Sequence, residues 1–269
     1  MHPLRHIPVR TAAIAAGLTA ATALVLASAV PPAGAATGAP GTPGAPGTDA
    51  TAEYQAALKA VGSKGVHFAS TAKQSGATLD VTGDAGTTSG SQTLVVQNKG
   101  LTERMTARVV GSTGYVTGNA AALQHVIGLS KAQSTKYAGK WLSFPTSNSG
   151  LDELVGGLLS SQVSKELEIG GPYIYGKPTT VGGQHALVIK GSVATQSGSK
   201  VPVVLYVPAS GSPLPIQEVT NAGTSGGSST IQGTVIFSHW GENKNQSAPS
   251  HAVSLLKLVP PTSSSSTGG

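Results

Sequence analysis

Short segments of alternating apolar and polar residues recur along most of this chain, and they predict β-strands. In the segment 101–110, LTERMTARVV, threonine and arginine side chains share one side of an extended chain. On the other side lie Leu101, Met105, Ala107 and Val109. We therefore expect this strand to have one buried face and one exposed face.

Further segments have the same pattern, and turn-forming residues such as Asn98-Lys99-Gly100 separate neighbouring ones. Such short connections predict antiparallel pairing of consecutive strands. Between 101 and 145, two strand patterns joined by a glycine turn precede a helix and a strand that contains Trp141. The other predicted strands are 66–71, 77–82, 92–97, 173–175, 186–190, 201–207, 214–220 and 230–239.

Two short helices are predicted from apolar residues at helical spacing. Tyr54, Leu58 and Val61 predict a helix over 52–61 that Gly62 ends. Asn119 is a favourable N-cap for a helix that carries Leu123 and Ile127 on one side.

A third helix is predicted over 151–159, where leucine and valine form one apolar stripe. Ser149 and Asp152 resemble a capping box at its start. Gly156 and Gly157 interrupt it at a cost of about 1 kcal/mol each relative to alanine, so a bend or a mobile element is expected there. These elements together predict an α+β fold in which helices cover the apolar face of an antiparallel sheet.

The N-terminal residues predict export. Arg5 and Arg10 precede an uncharged run from Thr11 to Val30, and the small residues Ala33-Gly34-Ala35 follow. This order is typical of a secretory signal peptide cleaved near Ala35-Ala36. An uncleaved membrane anchor is the alternative, because the run is about long enough to cross a bilayer.

Composition divides the chain into four predicted parts. Residues 1–36 form the signal peptide, and the Pro/Gly/Ala-rich residues 37–50 form a disordered tether. Residues 51–258 form a single domain, which is long enough to bury a continuous core. The Ser/Pro/Gly-rich residues 259–269 form a disordered tail.

Charge and cysteine content exclude several classes of function. The 17 basic and 11 acidic residues give a net charge of +6, and loss of Arg5 and Arg10 leaves 15 minus 11, or +4. The basic residues are scattered singly, so no nucleic-acid surface is predicted, although weak contact with an anionic membrane surface is compatible with this charge. The absence of cysteine excludes disulfides, thiolate metal sites and a cysteine-linked lipid anchor.

The candidate catalytic and metal-binding groups favour structural interpretations. Gly223-Thr224-Ser225-Gly226-Gly227 fits G-x-S-x-G, but a β pattern follows where a nucleophile elbow needs a helix, so a hairpin loop is predicted. The histidines outside the signal peptide lack close metal-ligand spacing and are predicted to be surface or sheet residues: His67, His125, His185, His239 and His251. No cofactor is predicted.

The remaining candidates are carboxylates and tryptophans. Asp152, Glu153, Glu166 and Glu168 could supply a glycosidase pair, but their spacing predicts a solvated helix face. Trp141 and Trp240 could stack on a sugar or line a ligand cavity, and the alternative is that they anchor edges of the core.

A family resemblance emerges from several short segments taken in order. They are Tyr115-Val116-Thr117-Gly118-Asn119, Lys136-Tyr137-Ala138-Gly139-Lys140-Trp141, Leu205-Tyr206-Val207 with Pro213-Leu214-Pro215-Ile216, and Phe237-Ser238-His239-Trp240-Gly241 with Ala248-Pro249. Over 65–253 the chain resembles actinobacterial exported proteins of the LolA/LppX-like superfamily, which includes LppX and LprG. Many members are anchored through a cysteine that this chain lacks.

The resemblance implies a strongly curved antiparallel sheet, an incomplete barrel, with helices on its concave face and an apolar cavity for acyl chains between them. The residues on apolar faces that we expect to line such a cavity are Met105, Val109, Leu154, Leu158, Val203, Leu205, Val235 and Phe237. For each of them, ordinary core packing is the alternative. A cavity that holds a chain of about 14 carbons would contribute on the order of 10 kcal/mol of gross binding free energy.

The leading hypothesis is therefore a secreted, non-enzymatic lipid- or lipoprotein-binding carrier that shields acyl chains. The alternative is a cell-envelope interaction or sensory module whose cavity is filled by its own side chains. A third hypothesis, a hydrolase that uses Ser225, requires that this serine react with an activity probe, and we expect no labelling.

Overall fold

The computed structural model describes residues 49–74, 76–148, 151–194, 200–223 and 230–258. The signal peptide, the tether up to residue 48, the C-terminal tail and Ser225 lie outside these residues. The described helices are α1 (Ala50–Val61), α2 (Ala120–His125), α3 (Lys131–Tyr137) and α4 (Ser160–Glu166), with short 3-10 helices at Asp152–Leu154 and Leu255–Lys257.

The described strands form one curved, open sheet of 13 strands, as expected from the α+β prediction. They are β1 (Val66–Gln74), β2 (Ala77–Ala85), β3 (Ser89–Asn98), β4 (Leu101–Val110), β5 (Thr113–Gly118), β6 (Leu142–Pro145), β7 (Gly170–Tyr175), β8 (Thr179–Val181), β9 (Gln184–Ala194), β10 (Lys200–Pro208), β11 (Gln217–Gly223), β12 (Thr230–Ser238) and β13 (Val253–Ser254). The spatial order is β13-β6-β5-β4-β3-β2-β1-β12-β11-β10-β9-β7, and β8 pairs with β9. The β13–β6 pair is parallel.

The sheet consists of two antiparallel meanders joined at their centre. Strands β1 to β6 follow one another in space, as do β9 to β12. The first strand, β1, then pairs with β12, so that Phe68 lies opposite Phe237. This pairing makes one continuous inner face from two parts of the chain that are far apart in sequence.

Strand β4 has the predicted bounds and the predicted two-sided pattern. Met105, Ala107 and Val109 are buried on its inner face. Leu101 has the same phase but is 43% exposed, because it lies at the hairpin end of the strand, opposite Asn98. Its predicted burial is therefore wrong.

The first two helices form where the sequence predicts them. Asp49 caps α1 by accepting a hydrogen bond from the backbone N–H of Thr51 at 2.8 Å. Asn119 caps α2 by accepting from Ala122 N–H at 2.9 Å. Helix α3, which begins with a capping box formed by Ser130 and Gln133, is not predicted by the apolar pattern.

The predicted helix over 151–159 is wrong. The segment contains a single 3-10 turn, Asp152–Leu154, followed by turns, and the regular helix α4 begins only at Ser160. Gly157 adopts a φ of +74°, a left-handed conformation that cannot continue a right-handed helix. The glycine pair therefore ends the turn, where the sequence analysis expected a bend within a helix.

Candidate ligand-binding interior

A continuous row of buried side chains crosses the inner face of the sheet. Cross-strand pairing aligns eight residues on neighbouring strands from β9 to β4. In spatial order they are Ile189, Leu205, Glu218, Val235, Ser70, Val81, Leu94 and Met105. All are buried, and all except Glu218 and Ser70 are apolar. At about 4.8 Å per strand, this inner row follows a path of roughly 34 Å along the curved sheet.

All eight predicted lining residues belong to one buried core cluster. Met105, Leu205 and Val235 lie in the inner row itself. Val109, Val203 and Phe237 each lie an even number of residues from the inner-row residue of the same strand, so their side chains are on the same inner face. Leu154 and Leu158 come from the segment 151–159. Their exposed fractions lie between 0 and 5%, so these side chains pack closely against their neighbours.

Backbone contacts attach the segment 151–160 to the sheet. Gly86 N–H donates to the Leu158 carbonyl at 3.3 Å, and Ser160 N–H donates to the Gly86 carbonyl at 2.8 Å. At Gly90 the backbone approach is so close that a Cβ atom would lie 2.0 Å from the Leu158 carbonyl oxygen. Glycine at this position therefore lets the segment lie directly on β3.

Gln92 also connects this segment to the sheet, from the buried inner face of β3. Its Nε2 donates to the Leu154 carbonyl at 3.2 Å. Its Oε1 is buried and has no hydrogen-bond partner within the described residues. An unsatisfied buried acceptor costs about 1–3 kcal/mol, and this cost offsets the contribution of the Nε2 hydrogen bond to the attachment of the segment.

Helix α1 covers another part of the interior through Tyr54. Its hydroxyl donates to the Leu167 carbonyl at 3.2 Å and accepts from Ile169 N–H at 2.7 Å. The ring stacks on Tyr173 at a centroid distance of 4.5 Å. Burial raises the pKa of Tyr54 to about 12, so the hydroxyl remains a donor at neutral pH. Tyr54 thus fixes α1 to the chain that follows α4.

Glu218 is the acidic residue of the inner row, and the sequence analysis does not identify it. Its side chain is 2% exposed, between Leu205 and Val235 on the two neighbouring strands. Burial and, to a smaller extent, the charge of Glu166 together raise its pKa to about 8. Its Oε2 has no hydrogen-bond partner in the described part of the chain. The sequence does contain a pattern that could have identified it. Glu218 lies an even number of residues from Leu214 and Ile216, so the three side chains share one face of an extended strand.

Glu166, at the end of α4, is a half-buried acid. Partial burial raises its pKa to about 7, with a further contribution from the charge of Glu168. The prediction of a solvated face for the carboxylates therefore holds less well for Glu166 than for its acidic neighbours. Asp152 and Glu168 are exposed.

The histidines are distributed over the sheet and its loops. His67 Nδ1 lies 2.8 Å from Asp84 Oδ1, and Lys244 Nζ lies 2.9 Å from the same oxygen. Burial raises the pKa of Asp84, but these two hydrogen bonds outweigh it and lower the pKa below its ordinary value. His125 pairs with Glu103 at 2.6 Å. Among the described residues no three histidine or acidic side chains are grouped as metal ligands.

The two tryptophans lie at the margin of the core. Trp240 packs beside Phe237 at a centroid distance of 5.8 Å, and its Nε1–H donates to the Pro215 carbonyl at 2.8 Å. The Arg108 guanidinium lies 5.0 Å from the centre of the Trp141 ring. Both rings are partly buried, as expected for residues that anchor core edges.

A shallow depression of about 540 Å³ lies on the opposite, outer face of β4 and β5. Its walls are small residues, four of them polar, together with one arginine: Thr102, Arg104, Thr106, Thr117, Gly118, Asn119, Ala138 and Gly139. It is separate from the inner row, because the outer and inner side chains alternate along β4.

None of the described helices has the length and apolar character needed to cross a bilayer.

Comparisons with known proteins give structural matches only. No family model and no curated protein matches the sequence. The structure of LprF from Mycobacterium bovis has a TM-score of 0.48 and 14% identity, over 77% of this chain and 99% of LprF. The lipoprotein LppX from Mycobacterium tuberculosis has a TM-score of 0.43 and 16% identity, over 73% of this chain and 97% of LppX.

A putative outer membrane lipoprotein-sorting domain from Vibrio parahaemolyticus is a more distant match, with a TM-score of 0.27 and 9% identity over 71% of this chain and 92% of that domain. The proposals below therefore depend on the residues of this chain.

Proposed function

We propose that this protein is an exported, non-enzymatic lipid- or lipoprotein-binding carrier that shields acyl chains on the inner face of its sheet. The observation that carries the proposal is the inner row, in which six of eight aligned buried residues are apolar. Contact with such a surface transfers each methylene of an acyl chain out of water, at about 0.8 kcal/mol per group. The eight predicted lining residues are the proposed contacts.

The segment 151–160 is the proposed entrance. It contributes Leu154 and Leu158 to the interior, yet a few polar contacts to Gly86 and Gln92 attach it to the sheet. Displacing this segment would uncover apolar side chains while leaving the cross-strand hydrogen bonds intact. Export through the signal peptide of residues 1–36 would deliver such a carrier to the cell envelope or the exterior.

Lipid capture tests the proposal directly. The protein is purified from its own host, and native mass spectrometry is followed by organic extraction and analysis of released lipid. We expect a bound acyl-containing species and saturable uptake of a fluorescent lipid. Finding neither would contradict the carrier proposal.

A matched pair of variants on β10 tests the position of the ligand. Val203 is buried on the inner face, whereas the next residue, Val204, points to the outer face and is partly exposed. We expect Val203→Trp to reduce lipid uptake and Val204→Trp to leave it unchanged, with circular dichroism confirming that both variants are folded. Equal uptake by both variants would place the ligand elsewhere.

The envelope interaction module is the second candidate, and the close packing of the eight predicted residues favours it. In that case the interior is filled by the protein's own side chains and the partner binds outside. The depression around Arg104 and Asn119 is then the surface to test. Loss of partner binding in Arg104→Glu, with lipid uptake absent in the unmodified protein, would favour this candidate.

A further inference from the structure

One carboxyl group lies buried on the inner row without a cation to compensate it. Glu218 belongs to β11 and is 2% exposed. The half-buried Glu166 at the end of α4 is also acidic, and its charge contributes to the raised pKa of Glu218. Within the described residues, no lysine, arginine or histidine forms an ion pair with either carboxyl group.

The other groups around Glu218 do not supply the missing charge. Leu205 and Val235 flank it on the sheet. Tyr54 on α1 interacts electrostatically with Glu218, and its raised pKa keeps the phenol neutral. Among the described residues, the groups found to interact with Glu218 in this way are Tyr54 and Glu166, and neither is a cation.

The unpartnered Oε2 atom of Glu218 indicates that a donor is missing at this position. A divalent metal ion is a poor candidate, since calcium takes six to eight oxygen ligands and the described residues contain no group of three acidic or histidine ligands here. A single ammonium group needs only charge and hydrogen-bond acceptors, which an ionised Glu218 offers. The apolar side chains of the inner row would surround the alkyl chain attached to it.

We propose that Glu218 binds the ammonium head of an amphiphile whose alkyl chain lies along the inner row. This inference rests on the proposed lipid-binding function and adds the chemistry of the head group. It also predicts that an anionic head, such as a fatty-acid carboxylate, is disfavoured, because the inner row contains no cation that could pair with a negative charge in an apolar interior.

Binding of an ammonium group ionises Glu218 and so releases its proton. The alkylammonium itself stays charged below pH 9, so the affinity should rise about tenfold per pH unit between pH 5.5 and 7.5. Dodecanol lacks the charge, and its binding should be nearly independent of pH over this range. The pH slope therefore distinguishes ion pairing from simple burial of an alkyl chain.

The experiment is isothermal titration calorimetry of the purified full chain with dodecylamine, dodecanol and dodecanoic acid, each below its micellar concentration. At pH 7.5 we expect dodecylamine to bind at least about tenfold more tightly than dodecanol, and dodecanoic acid to bind more weakly than both. Titrations in two buffers of different ionisation enthalpy should report release of about one proton per amine bound.

Two variants complete the test. Glu218→Gln should remove both the amine preference and the proton release while leaving dodecanol binding within about threefold of the unmodified protein. Glu242→Gln, which changes an exposed carboxylate, should behave like the unmodified protein. Dodecanol or dodecanoic acid binding as tightly as dodecylamine would overturn the head-group inference alone, whereas no binding of any of the three would overturn the carrier proposal as well.

Discussion

The buried acid Glu218 should make this protein less stable as the pH rises toward 8. In the folded protein its pKa is about 8, compared with an ordinary value of 4.5, and burial is the main cause. Between these two values the folded chain keeps the proton and the unfolded chain releases it. The contribution of Glu218 to the free energy of unfolding is therefore fully present below pH 4.5 and is lost as the pH rises through 8.

The size of the effect follows from the shift. Each pH unit between the two pKa values costs about 1.4 kcal/mol for one group, so Glu218 should remove on the order of 4 kcal/mol between pH 5 and pH 8. Glu166, whose pKa is raised to about 7, adds a smaller loss over the lower part of this range. The two contributions are not independent, because each carboxylate raises the cost of ionising the other.

Urea unfolding followed by tryptophan fluorescence at pH 5, 6, 7 and 8 measures this loss. We expect Glu218→Gln to flatten the pH dependence, so that the unmodified protein loses about 4 kcal/mol more than the variant between pH 5 and pH 8. Glu242→Gln should retain the slope of the unmodified protein. Parallel pH profiles for the unmodified protein and Glu218→Gln would refute the reasoning, because they would mean that Glu218 ionises equally easily in both states.

Three further substitutions test contacts that hold the covering elements. Tyr54→Phe removes a hydroxyl that is hydrogen-bonded to Leu167 and Ile169. It should lower the free energy of unfolding by about 1–3 kcal/mol in urea titrations. An unchanged free energy would contradict a stabilising role for these two hydrogen bonds. Asn119→Ala removes the α2 cap and the bond from Asn119 Nδ2 to the Thr102 carbonyl. It should cost about 1–2 kcal/mol by the same assay, whereas Asn119→Ser should restore the contribution of the cap alone. Gly90→Ala places a Cβ atom against the Leu158 carbonyl and should accelerate amide exchange at Gly86 N–H, an effect that the neighbouring Ser91→Ala should not reproduce.

Local patterns were sufficient to predict most of the regular elements. The two-residue period of 101–110 gave the bounds of β4 and its buried face at Met105. The short polar side chain of Asn119 identified the start of α2, because an N-cap is a contact within four residues. Such contacts depend on neighbours in sequence, so a single chain reveals them.

The segment 151–160 shows where local patterns fail. Its apolar residues have helical spacing, but Gly157 adopts a left-handed conformation and the backbone lies on Gly90 of β3. A contact between positions so far apart in sequence outweighs the weak helical preference of a segment with two glycines.

The amino-acid sequence was enough to identify the residues that alternate between two faces, the starts of two helices, and the absence of cysteine and of a clustered metal-ligand motif. The pairing of β1 with β12, which aligns Glu218, Val235 and Ser70 on one inner row, is visible only once the chain is folded. This is because burial is a property of the assembled sheet. A glutamate in a strand has an ordinary pKa until distant segments exclude water from it, and the sequence does not show which segments those are.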